Sequence, residues 1–213
     1  MDLQFIMWDW NGTLLDDVGA SLAAVNTMLA VRGRSAIDLA AYRAAIGVPI
    51  RCFYETHFDL TREDYHGILL EYGKNYAAQL PSCSLAEGTL PLLKSVMKRG
   101  TEQLILTSSE QGGAERALEQ YGVEKYFSAV LGAKDTLAGS KLERAREFVE
   151  NNGIPPERLL LVGDLPHDYE VARALGAHCV LVDWGHGMLS SQKLAGVRIV
   201  SSMAELAGLI TMV

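Results

Sequence analysis

Cysteine is scarce in these 213 residues. The three present, Cys52, Cys83 and Cys179, show no CxxC spacing and cannot all pair. That argues against a disulfide-framed module and predicts reduced, mostly buried thiols in a reducing compartment. Positive charge is also short, with 19 Lys and Arg against 26 Asp and Glu for a formal net charge of -7. No Lys/Arg cluster offers a footprint for a phosphate backbone, so a general nucleic-acid binder is not expected. An acidic protein can still hold a small phosphate through local positive charge. No apolar stretch approaches the ~18 residues of a membrane span. The opening MDLQFIMWDWNGTLLDD lacks a basic segment and reaches an acid after a short apolar run. It reads as a strand and not as a signal peptide, so a cytoplasmic location without a membrane partner is expected. Internal repeats and low-complexity linkers are missing as well.

What is present is ordinary for a globular chain: 49% apolar and 21% charged residues, enough for a sizeable core in one domain or in one domain with an insertion. Leu3 to Asp9 reads as a buried strand, because it is short, apolar and ends abruptly in polar residues and glycine. From Asp17 to about Gly33 the spacing turns helical, with Leu22, Val25 and Leu29 on one face. Further helix is expected over Leu39 to Ile46, near Arg51 to Thr56, and from Thr61 to about Ala78, where Thr61 and Asp64 look like an N-terminal capping signature. Pro81 and Ser82 break that pattern.

After Ser82, helices and strands alternate. Helices are expected at Gly88 to Arg99, Glu110 to Tyr121, Lys141 to Asn152, Asp168 to Leu175 and from Met203. Strands are expected at Gln103 to Leu106, Ala129 to Gly132, Leu159 to Val162, Cys179 to Val182 and Arg198 to Val200. Such alternation predicts an α/β fold, a Rossmann-like parallel sheet covered on both faces. The all-helical stretch interrupts it after the first strand. The expected division is a core of residues 1–15 and 83–213 and an inserted helical cap of residues 16–82.

Open parallel sheets bind ligands at the carboxyl ends of their strands. The residues just beyond those ends are Asp9-Trp10-Asn11-Gly12-Thr13, Thr107-Ser108-Ser109, the segment leading to Lys141, Gly163-Asp164 with Asp168, and Asp183-Trp184-Gly185. Asp9 at a sharp turn can attack phosphorus, with the amides around Trp10 and Asn11 aimed at an anion. As a bare DxNGT the same stretch could be a turn. Thr107 to Glu110 reads as a capping box whose hydroxyl and amides could seat phosphate. Asp164 and Asp168 could simply cap a helix beside Pro166, or supply the hard oxygen that magnesium prefers. Lys141 taken alone would be a solvated helix lysine. The joint reading rests on charge. Three converging carboxylates would raise one another's pKa and cost stability unless a divalent cation and the Lys141 ammonium offset them. Phosphoryl transfer needs mainly an in-line nucleophile and such preorganised positive charge.

These residues resemble the four ordered motifs of the haloacid-dehalogenase superfamily: DWNGTL at Asp9 to Leu14, the strand ending in Thr107, Lys141, and GDLPHD at Gly163 to Asp168. The insertion after the first motif resembles the helical cap of its phosphoglycolate-phosphatase-like and beta-phosphoglucomutase-like branch. The stretch VGDLPHDYEVARALGAHCVLVDWGHG resembles the phosphoglycolate-phosphatase side. The resemblance spans essentially the whole chain. It implies a Mg²⁺-dependent phosphatase acting on a small phosphorylated metabolite, phosphoglycolate or a sugar phosphate. Asp9 would be nucleophile and metal ligand, the Asn11 carbonyl and Asp164 would complete the protein ligation, and Asp168 would support that shell through water or Lys141. Phosphate would be held by Asp9, Trp10, Asn11, Thr107, Ser108 and Lys141, and Arg51 of the cap is a candidate contact to a substrate anion.

The chain departs from the family at Asn11, where the phosphatases usually carry a second aspartate that protonates the leaving oxygen and later activates water. Asn11 can do neither. General acid–base catalysis is typically worth ~10²–10⁴-fold, so a slowed phosphatase is expected before an inert one. Substrates with good leaving groups would need little protonation. His186 or His167 could stand in, although packing or surface roles are the default for both, or Asn11 before Gly12 could deamidate. The alternative function is a phosphate-binding or regulatory protein that kept the fold and lost turnover. Dehalogenase and mutase activities fit less well, the first because Asp164 and Asp168 keep the metal site, the second because it needs the missing carboxylate. The sequence does not separate a monomer from a homodimer.

Overall fold

The apolar run at the N-terminus forms β1 (Phe5–Trp8), and its alternation decides what lies on each side of it. Ile6 and Trp8 enter one apolar cluster and Met7 the other, as the two-residue period of a strand requires. In the computed structural model of the protein, residues 3–134, 140–189, 194 and 196–211 are described. Over these, β1 pairs in parallel with β4 (Glu102–Glu110) on one side and β6 (Leu159–Gly163) on the other. Parallel pairing continues through β5 (Ala129–Ala133) at one edge and through β7 (His178–Val182) to β8 (Arg198–Val200) at the other. The order β5-β4-β1-β6-β7-β8 makes β1 central. The chain departs from it in both directions, which creates a crevice at its carboxyl end.

Helices cover both faces. On one side α5 (Thr89–Lys98), α6 (Gln111–Tyr121) and α9 (Met203–Thr211) bring Leu92, Leu93, Val96, Leu118 and Leu206 onto Ile6, Trp8, Ile105 and Val162. On the other, α7 (Lys141–Asn151) and α8 (Pro166–Leu175) bring Ala145, Val149, Val171 and Ala172 onto Met7, Leu104 and Leu161. Gln103, polar yet buried in β4, is satisfied by the Trp8 indole and the Leu93 carbonyl.

Between β1 and α5 lie four helices, α1 (Val18–Val31), α2 (Leu39–Ala45), α3 (Arg51–His57) and α4 (Tyr65–Gln79). Their cluster is their own: Val25, Met28, Tyr42, Phe53, Tyr54 and Ile68 pack together with no core strand among them. The segment leaves and rejoins the core through β2 (Leu15–Asp16) and β3 (Ser84–Leu85), an antiparallel pair two residues long. Arg32 ties α1 to α4. Its guanidinium meets Glu63 and both Glu71 oxygens, donates to the Met28 carbonyl and lies over the Phe58 ring.

Several expectations change. α4 begins at Tyr65, not Thr61, because Asp64 caps it by accepting from the Gly67 amide, while the Thr61 hydroxyl turns back to Asp59. No capping box forms at Thr107. β4 runs on through Thr107, Ser108 and Ser109 to Glu110, past a register shift after Leu106. Glu110 itself caps α6, accepting from Gly112 and Gly113. The cysteines are not buried: Cys52 is exposed, Cys83 and Cys179 partly so.

The Arg32 hydrogen bonds hold the Glu71 carboxyl below its ordinary range, against the opposing effect of burial. That contribution is present above the ordinary carboxylate pKa and is lost as pH falls through the lowered one. Arg32→Met should cost about 1–3 kcal/mol at neutral pH. Urea unfolding at pH 7 and again in acid, where the difference should shrink, checks this.

Candidate active site

At the carboxyl end of β1 the backbone turns, and Asp9 is held there by its amide, which donates to the Val162 carbonyl at 2.8 Å. Ser140 and Glu143 form a reciprocal capping box that opens α7, with Lys141 as its first residue. The helix start turns this lysine inward, where it is buried. Its Nζ donates to Asp9 Oδ1 and to Asp168 Oδ1, each at 2.6 Å. Part of the segment leading to Lys141, residues 135–139, lies outside the described residues. The other Asp168 oxygen, Oδ2, accepts from the amides of Asp164 (3.2 Å) and Leu165 (3.0 Å), capping α8 just ahead of Pro166. Asp168 thus caps α8 with one oxygen while the other meets Lys141.

Asp164 follows β6. Its Oδ2 accepts from the His186 amide at 2.6 Å, and its Oδ1 is buried with no hydrogen-bond partner. One oxygen from each of Asp9, Asp164 and Asp168 lies within 4.8 Å of the others. Three buried carboxylates around one ammonium leave an excess of negative charge. Burial, and next the Asp9 and Asp168 charges set against the lowering pull of His186, push Asp164 up to about 8. Burial likewise raises Asp9, against Lys141. Burial works against the Lys141 ammonium too, but Asp168 and Asp9 hold its pKa above the ordinary lysine value. An orphaned carboxylate oxygen inside an all-oxygen, over-negative cluster suits a hard divalent cation. These residues therefore fit the magnesium that the motifs imply.

Close approach is built in. A Cβ on Gly163 would sit 2.2 Å from the Asp168 carboxyl carbon, and one on Gly185 2.3 Å from Asp164. Gly12, at φ +71°, passes so near Asp164 and His186 that a side chain has no room.

Around Asn11 the structure adds residues that sequence reasoning did not single out. Asp17, the residue before α1, does not cap that helix. It turns back and accepts four hydrogen bonds: from the Gly12 amide (2.7 Å) and His186 Nε2 (3.2 Å) on Oδ1, and from Asn11 Nδ2 (2.8 Å) and the Tyr76 hydroxyl (2.6 Å) on Oδ2. Asn11 Nδ2 also donates to the Tyr76 oxygen at 2.8 Å, and Asn11 Oδ1 accepts from the Ser109 hydroxyl at 2.8 Å. Burial opposes the Asp17 charge, yet His186, Tyr76 and Asn11 bring its pKa below the ordinary value. Burial disfavours the His186 imidazolium, but the Asp17 hydrogen bond and the charges of Asp164, Asp17 and Asp9 together outweigh it and raise its pKa. His186 is neither a surface residue nor mere packing, since Nδ1 meets the Tyr42 hydroxyl at 2.9 Å. His167 stays half-exposed beside Glu170. The deamidation route is disfavoured, because the Gly12 nitrogen that would attack the Asn11 side chain is held by Asp17.

The other expected residues are placed as follows. Thr107 is buried two residues past Ile105, which pairs with Trp8, and its hydroxyl accepts from the Ser109 amide. Ser108 is exposed. The Trp10 ring packs in the core against Tyr121, and the Trp10 backbone bonds the Asp9 carboxylate. Arg51 is not brought to the cluster. It pairs with Glu55 at 2.8 Å and lies over Tyr65, both on the helical segment.

Lys141→Met would leave Asp9 and Asp168 facing each other in a buried space. The expected loss is about 3–5 kcal/mol of stability, partly recovered by millimolar Mg²⁺, in urea unfolding with and without the cation.

A family model described as haloacid dehalogenase-like hydrolase matches residues 6–182. A phosphoglycolate phosphatase of Pseudomonas savastanoi is 29% identical over 194 residues, covering 86% of this chain and 70% of that protein. The tyrosine-protein kinase PtkA of Mycobacterium tuberculosis is 30% identical over 189 residues, covering 86% of this chain and 63% of that one. Among solved structures, a predicted phosphatase from Clostridium acetobutylicum superposes with a TM-score of 0.84 over all of both chains at 22% identity. With the matched region running from the first strand of the sheet through β7, the chain belongs to the haloacid dehalogenase-like hydrolase family.

Proposed function

We propose that the protein is a Mg²⁺-dependent phosphatase that hydrolyses a small phosphorylated metabolite through an aspartyl-phosphate on Asp9. The observation that carries this reading is the pairing of a lysine-held Asp9 carboxylate with the unpartnered Asp164 oxygen in one buried cluster. The similarity to phosphoglycolate phosphatases supports the reaction class.

Asp9 and Asp164, with the Asn11 carbonyl, are the residues that would hold the cation, and Asp168 would brace them through Lys141. When bound, Mg²⁺ would supply positive charge to the phosphoryl oxygens. Lys141 fixes the Asp9 carboxylate at 2.6 Å and lends its own charge to the incoming dianion. The Asp9 carboxylate attacks phosphorus, the ester bond breaks, and water then releases phosphate from Asp9. The backbone around Trp10 and Asn11, with Thr107 and the exposed Ser108 in the last part of β4, is proposed to orient the phosphoryl group. The helical segment, residues 16–82, is proposed to act as a cap: Tyr42 meets His186, and Arg43 donates to the Trp184 carbonyl at 2.7 Å, so α2 closes on the loop that carries His186.

Asn11 favours a second reading, a phosphate-binding protein without turnover. A phosphate-release screen over phosphorylated metabolites with Mg²⁺ separates the two. Release lowered about 10³-fold or more by Asp9→Asn is expected. Phosphate or Mg²⁺ binding with no release from any metabolite would favour the second reading. Release unaffected by Asp9→Asn would overturn the first.

A further inference from the structure

A count of protons around Asn11 narrows the substrate class. The Asp17 carboxylate only accepts, so the Asn11 amide nitrogen must face it, and the Ser109 hydroxyl on the other side fits the amide oxygen. Both Asn11 N–H groups are then committed, one to Asp17 and one to the Tyr76 oxygen. The Tyr76 proton goes to Asp17, the Ser109 proton to Asn11, and the Gly12 amide proton to Asp17. His186 has Nε2 on Asp17 and Nδ1 on Tyr42. Each of these donors already serves a protein acceptor, and Asn11, where a protonatable group would have to stand, has no acidic proton to give up.

We propose that this protein acts on phosphoryl donors whose leaving oxygen departs as a stable anion, such as aryl, acyl or anhydride phosphates, and acts poorly on alkyl phosphates. The proposal rests on Asp9 being the nucleophile. An Asp9 oxygen forms the new bond to phosphorus. The bond from phosphorus to the leaving oxygen breaks, and its electron pair leaves with that oxygen, which takes any proton from bulk water. In the second half, water attacks phosphorus, the bond to Asp9 breaks, the carboxylate is restored, and the displaced proton passes to solvent. Asn11 cannot accept that proton either, so the second half is unassisted and phosphorylated Asp9 accumulates. With good leaving groups the first step is fast and the second limits turnover.

The test is a series of substituted phenyl phosphates and one alkyl phosphate with Mg²⁺, for the native protein and for Asn11→Asp. In the native protein kcat/KM should fall steeply as the leaving oxygen becomes more basic. Across the good leaving groups kcat should level off, with a burst of phenol matching the protein concentration. Asn11→Asp puts a protonatable group at that atom and should raise kcat/KM for the alkyl phosphate by ~10²–10⁴-fold, and for the best aryl phosphate by less than ~10-fold. If the variant does not fold, the native slope and burst decide alone. Native protein that turns over alkyl and aryl phosphates alike, without a burst, overturns the inference and leaves Asp9 as nucleophile intact. Phenol release that survives Asp9→Asn overturns the reading beneath it.

Discussion

One buried ammonium holds the site together. Lys141 reaches Asp9 and Asp168 at 2.6 Å each, across 132 and 27 residues of sequence. A buried charge is stable only when paired and hydrogen-bonded, and here each partner fixes the other. Remove the ammonium and two carboxylates face each other without relief. With it in place the cluster is still over-negative, because Asp164 adds a third carboxylate whose Oδ1 has no partner. That residual demand for positive charge is what the proposed divalent cation would meet, with a phosphoryl group beside it.

The scaffold answers this demand through rigid elements. Parallel pairing on both sides of β1 places Asp9, Thr107 and Asp164 along one edge of the sheet. The capping box at Ser140 and the Asp168 cap on α8 set two helix starts, so Lys141 and Asp168 arrive with their backbones already satisfied. Glycines at positions 12, 163 and 185 let the strand ends close to distances no side chain would permit. The Asp17 carboxylate works one layer out. Its four hydrogen bonds join the Asn11 loop, α4 and the loop of His186, and thereby couple the helical segment to the core.

The core strands and the four charged residues were legible because each apolar strand stops abruptly at an acid or a helix start, and charge balance then demands their convergence. Asp17 and Tyr76 were not, and for Ser109 and His186 a place near the site was legible but their partners were not. Asp17 has the residue type and place of an ordinary helix cap, and its partner His186 lies 169 residues away. The ribbon of β2 and β3 is two residues long on each side, too short for any period. Thr107 to Glu110 has the spacing of a capping box, but β4 keeps pairing as far as Ala133, and the edge contact outweighs the local preference. Arg51 shows the limit of reading a lone charge: its nearest acid is one helical turn away, and that pair lies on the surface of α3.

Titration calorimetry with Mg²⁺ on the native protein and on Asp164→Asn bears most directly on the carboxylate–ammonium cluster. The account predicts one ion bound per chain by the native protein, and binding weakened by about tenfold or more in Asp164→Asn while the fold is retained. Native protein that binds no divalent ion, or a variant that binds it equally well, would contradict it.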